Sequence, residues 1–303
     1  MKPPVFIITL SLIAASLGCK QTYLPPLLKN PPSYLVVEGF INNGSDTTRF
    51  DLSHTYLLSD SSATTPELNA KVTVEADNGS ISYLQEMGNG LYGAVLGPID
   101  PNANYRLHIL TTDNREYASD YVPVVYNPPI DSLNFVRNDK GVRIYATTHG
   151  APTTSKYFRY DYIATWKFAS PYLAHWKYVN NTLQDYYPNT TDTCWHTDSS
   201  TAITLATSAG LGQDVIYEAP VVDVPLNSQA ITLEYSALVR QYALTTQAYT
   251  WWSIMQNNTE NIGSIFGVQP SVNKGNLHCL TDTSEQVIGY VSAGTTSTKR
   301  IFT

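Results

Sequence analysis

Residues 70–86, AKVTVEADNGSISYLQE, hold two short runs of alternating apolar and polar residues joined by Asp77-Asn78-Gly79. Alternation sends successive side chains to opposite faces of an extended chain, and an Asn-Gly pair supplies the positive φ that a tight hairpin turn requires. Such units recur. YLVVEGFI stops at Asn42-Asn43-Gly44, and RFDLSHTYLL, GLYGAVL, NYRLHILTT and REYASDYVPV follow. About seven short strands at roughly ten-residue spacing predict an immunoglobulin-like β-sandwich over residues 33–125. YNPPIDSLNF, with two prolines after Asn127, interrupts the repeat and sets a domain boundary near residue 126. GVRIYATT, KYFRYDYIATWKF, QDVIYEAPVV and QAITLEYSALV then predict a larger β-rich domain over 126–303, with SEQVIGYVSAG as its last strand. A single helix is expected from about Thr245 to Asn257, where Ala248, Trp251, Trp252 and Met255 recur at helical spacing. The fold class is therefore mostly β with one packed helix.

The first thirty residues read differently. Lys2 precedes an apolar run from Val5 to Leu17, the length of a signal-peptide core and too short to anchor in a bilayer by itself. Residues 1–18 are thus expected to be a signal peptide. Ser16-Leu17-Gly18-Cys19 resembles the bacterial lipobox, in which cleavage precedes a cysteine that is then lipidated; the alternative is an ordinary secretory peptide in which Cys19 has no role. Lys20 to Pro32 is proline-rich, so 19–32 is expected to form a lipid-anchored linker.

Composition narrows the function classes. A net charge of -7 and the lack of a Lys/Arg cluster argue against nucleic acid as a partner. The 22 tyrosines are read first as strand formers that pack half-buried. The chain contains no Gly-x-Ser-x-Gly elbow, no His-Glu-x-x-His and no phosphate-binding glycine loop, so no catalytic residue, cofactor or metal is assigned. Asp161, Glu218 and Asp223 keep a hydrolase open, since two carboxylates can meet in space from distant positions.

Several stretches together carry a family resemblance: YLVVEGFI, GNGLYGAVLGPIDPNANYRLHI, NREYASD, Cys194-Trp195, YTWW, GSIFGVQPSVNKGNLH and VIGYVSAGTTSTKRIF. In that order the chain resembles the DUF4249 family, outer-membrane lipoproteins of Bacteroidetes with no established activity, often encoded beside TonB-dependent receptors. The resemblance implies a lipid-anchored outer-membrane protein; the cell surface, rather than the periplasmic face, is the expected side. It implies a non-enzymatic accessory of a TonB-dependent receptor. Other readings are a structural or adhesive surface protein and a glycan or peptide hydrolase.

Two cysteines remain beside Cys19. In an oxidising compartment Cys194 and Cys279 are expected to form a disulfide, closing a loop of about 85 residues and stabilising the fold by roughly 4 kcal/mol. A zinc site from Cys194, His196, His278 and Cys279 is the rival arrangement, though adjacent His278 and Cys279 would strain to reach one metal. For ligand binding, Trp166, Trp176, Tyr178, Tyr186 and Tyr187 lie in a polar stretch with Asn180, Asn181 and Asn189 that suggests long exposed loops. Flat rings beside amides suit a saccharide or peptide, although Trp166, in a strand, is expected to pack inward.

Overall fold

The computed structural model describes residues 33–44, 46–56, 65–151, 154–170, 172, 175–186, 193–260 and 273–303. The expected signal peptide and linker, with Cys19, and Tyr187 lie outside the described residues. Residues Tyr34–Thr303 form one compact unit that holds two hydrophobic cores.

The first core is built from β1 (Leu35–Asn42), β2 (Thr48–His54), β3 (Thr65–Pro66), β4 (Lys71–Ala76), β5 (Ile81–Gly88), β6 (Leu91–Ala94), β7 (Asn104–Leu110), β8 (Glu116–Ser119) and β9 (Val122–Val125). Their alternation is used as the sequence implies. Tyr105, Leu107 and Ile109 of β7 point inward, as do Phe50 and Leu52 of β2, while Arg49 and Asp51 between them face out. Gly79 takes a φ of 92°, closing the β4–β5 hairpin at the predicted Asp77-Asn78-Gly79 turn.

The sandwich expected of these strands is replaced by a ring. β7, β4, β5, β6, β2 and β1 pair antiparallel in that order. The far end of the chain supplies β19 (Leu277–Cys279), β20 (Ile288–Gly289) and β21 (Ala293–Gly294), and β21 fills the gap between β1 and β9. β21 lies parallel to both β1 and β9, and β9 returns antiparallel to β7, so the hydrogen-bonded path closes on itself. β20 joins β1 just upstream, and β19 extends the ring outward from β8. Closure removes the open edges that a sandwich of seven strands leaves. Parallel neighbours need a long crossover, and here the crossover from β9 to β21 contains every strand of the second core except the last. Glycine is required at the closing strand: a Cβ on Gly294 would sit 2.2 Å from the Val125 carbonyl oxygen.

The second core lies between two sheets. One contains β10 (Ser132–Asn138), β11 (Gly141–His149) and β17 (Val215–Pro225). The other contains β12 (Tyr157–Ala169), β15 (Thr193–Ser199), β16 (Thr204–Thr207), β18 (Glu234–Leu244) and β22 (Thr296–Phe302). Ile144 of β11 and Val222 of β17 meet Phe158 and Tyr160 of β12 and Val239 of β18, the inward faces of two stacked layers. Between β12 and β15 the chain also forms β13 (Trp176–Val179) and β14 (Thr182–Asp185).

α1 runs Thr246–Glu260, close to its predicted span, and buries Ala248 and Trp251. SEQVIGYVSAG, expected as one strand, is broken into the short β20 and β21, and the final long strand is β22. The proline segment after Tyr126 is tied down. Asn127 donates to the Gln241 carbonyl at 2.5 Å, and the fully buried Gln241 side chain donates to Asn127 Oδ1 at 2.8 Å and to the Pro128 carbonyl at 3.0 Å. Thr148 completes the network by donating to Gln241 Oε1 at 2.7 Å. Because every polar atom of that amide is paired, burying it holds the join between the cores in one geometry.

Candidate functional site

The exposed aromatics predicted to lie on loops sit instead on a hairpin. β13 and β14 pair antiparallel with Trp176 opposite Asp185 and Tyr178 opposite Leu183. The turn between them, Asn180-Asn181, has φ of 49° and 59°. Two successive positive φ values define the hairpin turn whose twist matches its strands, and asparagine tolerates that region better than other non-glycine residues. Thr182 Oγ1 donates to the Val179 carbonyl at 2.8 Å across the same turn.

Pairing fixes which side chains share a face. Trp176, Tyr178, Leu183 and Asp185 lie on one side; Lys177, Val179, Thr182 and Gln184 lie on the other. Tyr186 follows onto the second side, where the Lys177 ammonium rests 5.3 Å from its ring centre. All eight strand residues are exposed, with Trp176 at 58%, Tyr178 at 70% and Leu183 at 63%. Among the described residues the hairpin pairs with no other strand. An isolated two-stranded ribbon is marginally stable in water, so an apolar face left open on one is unusual for a purely structural element.

Trp166 does not join this face. It lies in β12 opposite Tyr235 and His196, half-buried against the second core, with its ring 4.6 Å from the His196 ring. The inward packing expected for it is what the structure has. A residue not singled out as a ligand contact takes the exposed role nearby: Trp195 of β15 is 58% exposed, with Lys167 of β12 lying 5.9 Å from its ring centre. The alternation of Thr193-Cys194-Trp195-His196 carried that signal, since His196 faces Trp166 and its neighbour must face the other way.

The expected Cys194–Cys279 disulfide is not formed, and both cysteines are free. Cys194 is exposed in β15 opposite Phe168, whereas Cys279 is buried in the first core opposite Tyr117. The Cys279 sulfur accepts from the Asp282 amide at 3.4 Å and lies 3.3 Å from Thr281 Oγ1. Pairing of β19 with β8 is the physical reason, because it draws Leu277 and Cys279 into the first core while Cys194 stays on the sheet of the second. The zinc alternative fails likewise. Among the described residues no group of three His, Cys, Asp or Glu side chains is placed to hold a metal ion. His278 meets Asp120 at 3.1 Å and His196 stacks on Trp166.

Of the three carboxylates named for hydrolysis, Asp161 and Asp223 are engaged in separate ion pairs. Asp161 of β12 accepts from Arg240 at 2.5 Å, and Asp223 of β17 pairs with Arg143 across the other sheet. Glu218 sits at a β17 irregularity with a φ of 50°. Beside the Asp161–Arg240 pair, burial and then the Asp161 charge push the Tyr242 phenol up to about 12.

A family model described as a domain of unknown function, DUF4249, matches residues 20–300. No curated protein matches the chain. Among solved structures, the chain is similar to trypsin-activated alpha-2-macroglobulin from Escherichia coli at 13% identity and a TM-score of 0.23, over 71% of this chain and 15% of that one. The chain thus spans a small fraction of that protein's length, and at that score the likeness bears on neither fold nor function.

Proposed function

The chain belongs to the DUF4249 family, a domain of unknown function, and from that premise we propose that it is a non-enzymatic accessory of a TonB-dependent receptor, tethered to the outer membrane through a lipid on Cys19. In this reading it takes up or hands on a saccharide or peptide ligand through the β13–β14 hairpin. One observation carries the proposal: the hairpin holds Trp176, Tyr178 and Leu183 together on an open face that no other described strand covers. Aromatic side chains of this kind anchor recognition surfaces because they bury much area at little conformational cost. The tether rests on Lys2, the apolar run and Cys19, and the receptor partner on the family resemblance.

The test is a mild-detergent pull-down of the full-length protein from its native membrane, with co-purifying proteins identified by mass spectrometry. A TonB-dependent barrel recovered in fixed ratio supports the accessory role. Recovery of the lipidated protein alone overturns it and leaves the structural or adhesive reading in its place.

A further inference from the structure

A recess lies where β1, the Tyr290–Ser292 segment, the ends of β12 and β18, and α1 meet. Its lining includes Phe40, Arg159, Tyr242, Trp252 and Ser292. The Arg159 guanidinium is held between two rings, its central carbon 4.6 Å from the Tyr242 ring centre and 4.3 Å from that of Trp252. Phe40 in turn packs edge-on against Tyr242 with ring centres 5.2 Å apart. Stacking of this kind fixes the plane of a guanidinium while leaving its in-plane N–H groups free to donate.

Two polar atoms at this recess lack partners. Arg159 Nε is buried and bonds to nothing, and so is the hydroxyl of Ser292, a residue only 7% exposed. An arginine serving merely as a strut between aromatics would not leave a donor both buried and unpaired, since burying an unmade hydrogen bond is costly and more so for a charged group. The neighbouring charges favour an anion. Asp161 is 3.9 Å from Arg159, but its carboxylate is bound at 2.5 Å by Arg240, leaving the trio one positive charge in excess.

We propose that this recess binds a small carboxylate, with the Arg159 guanidinium and the Ser292 hydroxyl donating to its oxygens and the Trp252 and Tyr242 rings holding the guanidinium in plane. The recess suits the terminal carboxylate of a peptide whose remaining residues stay outside. Because the lining comes from β1 of the ring as well as from β12, β18 and α1, an occupant touches strands of both the ring and the second sheet system.

Titration of the protein with N-acetyl-triglycine, followed by the Trp252 indole N–H signal in proton–nitrogen spectra, tests this; a Trp252→Phe variant assigns the signal. The free acid is expected to shift that signal saturably, with a Kd on the order of 1 mM. The C-terminal amide of the same peptide should bind about tenfold more weakly or not at all, because it removes the charge that the guanidinium recognises. Arg159→Gln should abolish the shift. Ser292→Ala, a smaller change in the same recess, should weaken binding several-fold while leaving the other indole signals in place, which separates loss of the site from loss of the fold. Equal affinity for acid and amide, no saturable shift with the acid, or undiminished binding by a folded Arg159→Gln protein would overturn the proposal. Inorganic phosphate binding more tightly than the acid would overturn the carboxylate assignment.

Discussion

Replacing Gly294 by alanine tests whether the far end of the chain closes the ring. The added Cβ would lie 2.2 Å from the Val125 carbonyl oxygen, 3.2 Å from its carbon and 3.3 Å from its nitrogen. All three atoms belong to the backbone of β9, so no side chain can rotate away. Relief requires β21 to draw back by about 1 Å, and overpacking of this sort costs roughly 1–3 kcal/mol. The retreat also disturbs the Thr295 amide bond to the Val125 carbonyl at 3.1 Å and the Asn43 amide bond to the Gly294 carbonyl at 2.7 Å. At about 1 kcal/mol each, those bonds bring the expected loss to roughly 3–5 kcal/mol. With a urea dependence on the order of 3 kcal/mol per molar, the unfolding midpoint should fall by about 1 M or more. Gly210→Ala is the matched control, since a Cβ there meets nothing within 4 Å; it should change stability by no more than about 0.5 kcal/mol. Urea unfolding followed by tryptophan fluorescence measures both. A Gly294→Ala protein within about 0.5 kcal/mol of wild type would refute the closed ring.

Tyr92 is buried in the first core, its hydroxyl accepting from the Ala70 amide at 2.9 Å and donating to the Glu67 carbonyl at 3.0 Å. Tyr92→Phe keeps the ring and deletes both bonds, so urea titration should show a loss of about 1–3 kcal/mol. Burial raises the phenols of Tyr160 and Tyr235 as well as that of Tyr242, which reaches about 12. A group whose folded pKa lies above its unfolded value contributes stability below the unfolded value, near 10 for tyrosine, and loses it as pH rises. Stability should therefore decline between about pH 10 and 12, with phenolate absorbance appearing together with unfolding rather than before it; ionisation of these tyrosines in a protein still folded would contradict the burial. Trp176→Ala combined with Tyr178→Ala removes two exposed rings, so the unfolding midpoint should correspond to a change within about 0.5 kcal/mol of wild type. A larger loss would mean the hairpin packs on something structural.

Local patterns in the chain reported local structure well. Ala248 and Trp251, at helical spacing, are the residues that α1 buries, and alternation in GVRIYATT and KYFRYDYIATWKF became β11 and β12. Tyr92, Tyr117 and Tyr160 are fully buried and Tyr83, Tyr178 and Tyr217 exposed, a wider spread than the half-buried packing expected of strand tyrosines. The ring was not legible, because β21 is two residues long and its partners, β1 and β9, lie far away in sequence. Alternation needs several residues to register, and parallel pairing across an intervening core leaves no turn signal. The cysteine pairing failed for the same reason, since spacing along the chain did not reveal that Cys279 belongs to the first core. The hairpin was legible in part: Asn180-Asn181 was in view as polar loop chemistry, and its φ values show it to be a tight turn. Nothing in the chain marked the Arg159 recess, because Arg159, Tyr242, Trp252 and Ser292 come from four separate segments.

The central functional claim is that the face bearing Trp176, Tyr178 and Leu183 is covered by a partner in the native envelope. A photo-activatable benzophenone amino acid at position 183, in the full-length protein irradiated in intact cells, tests this directly. Position 81 in β5, where Ile81 is 54% exposed, provides the comparison on the ring. The account predicts a discrete, high-yield adduct from position 183, containing a TonB-dependent receptor, and only diffuse labelling from position 81. Diffuse labelling from both positions, or a receptor adduct from position 81 alone, would contradict it.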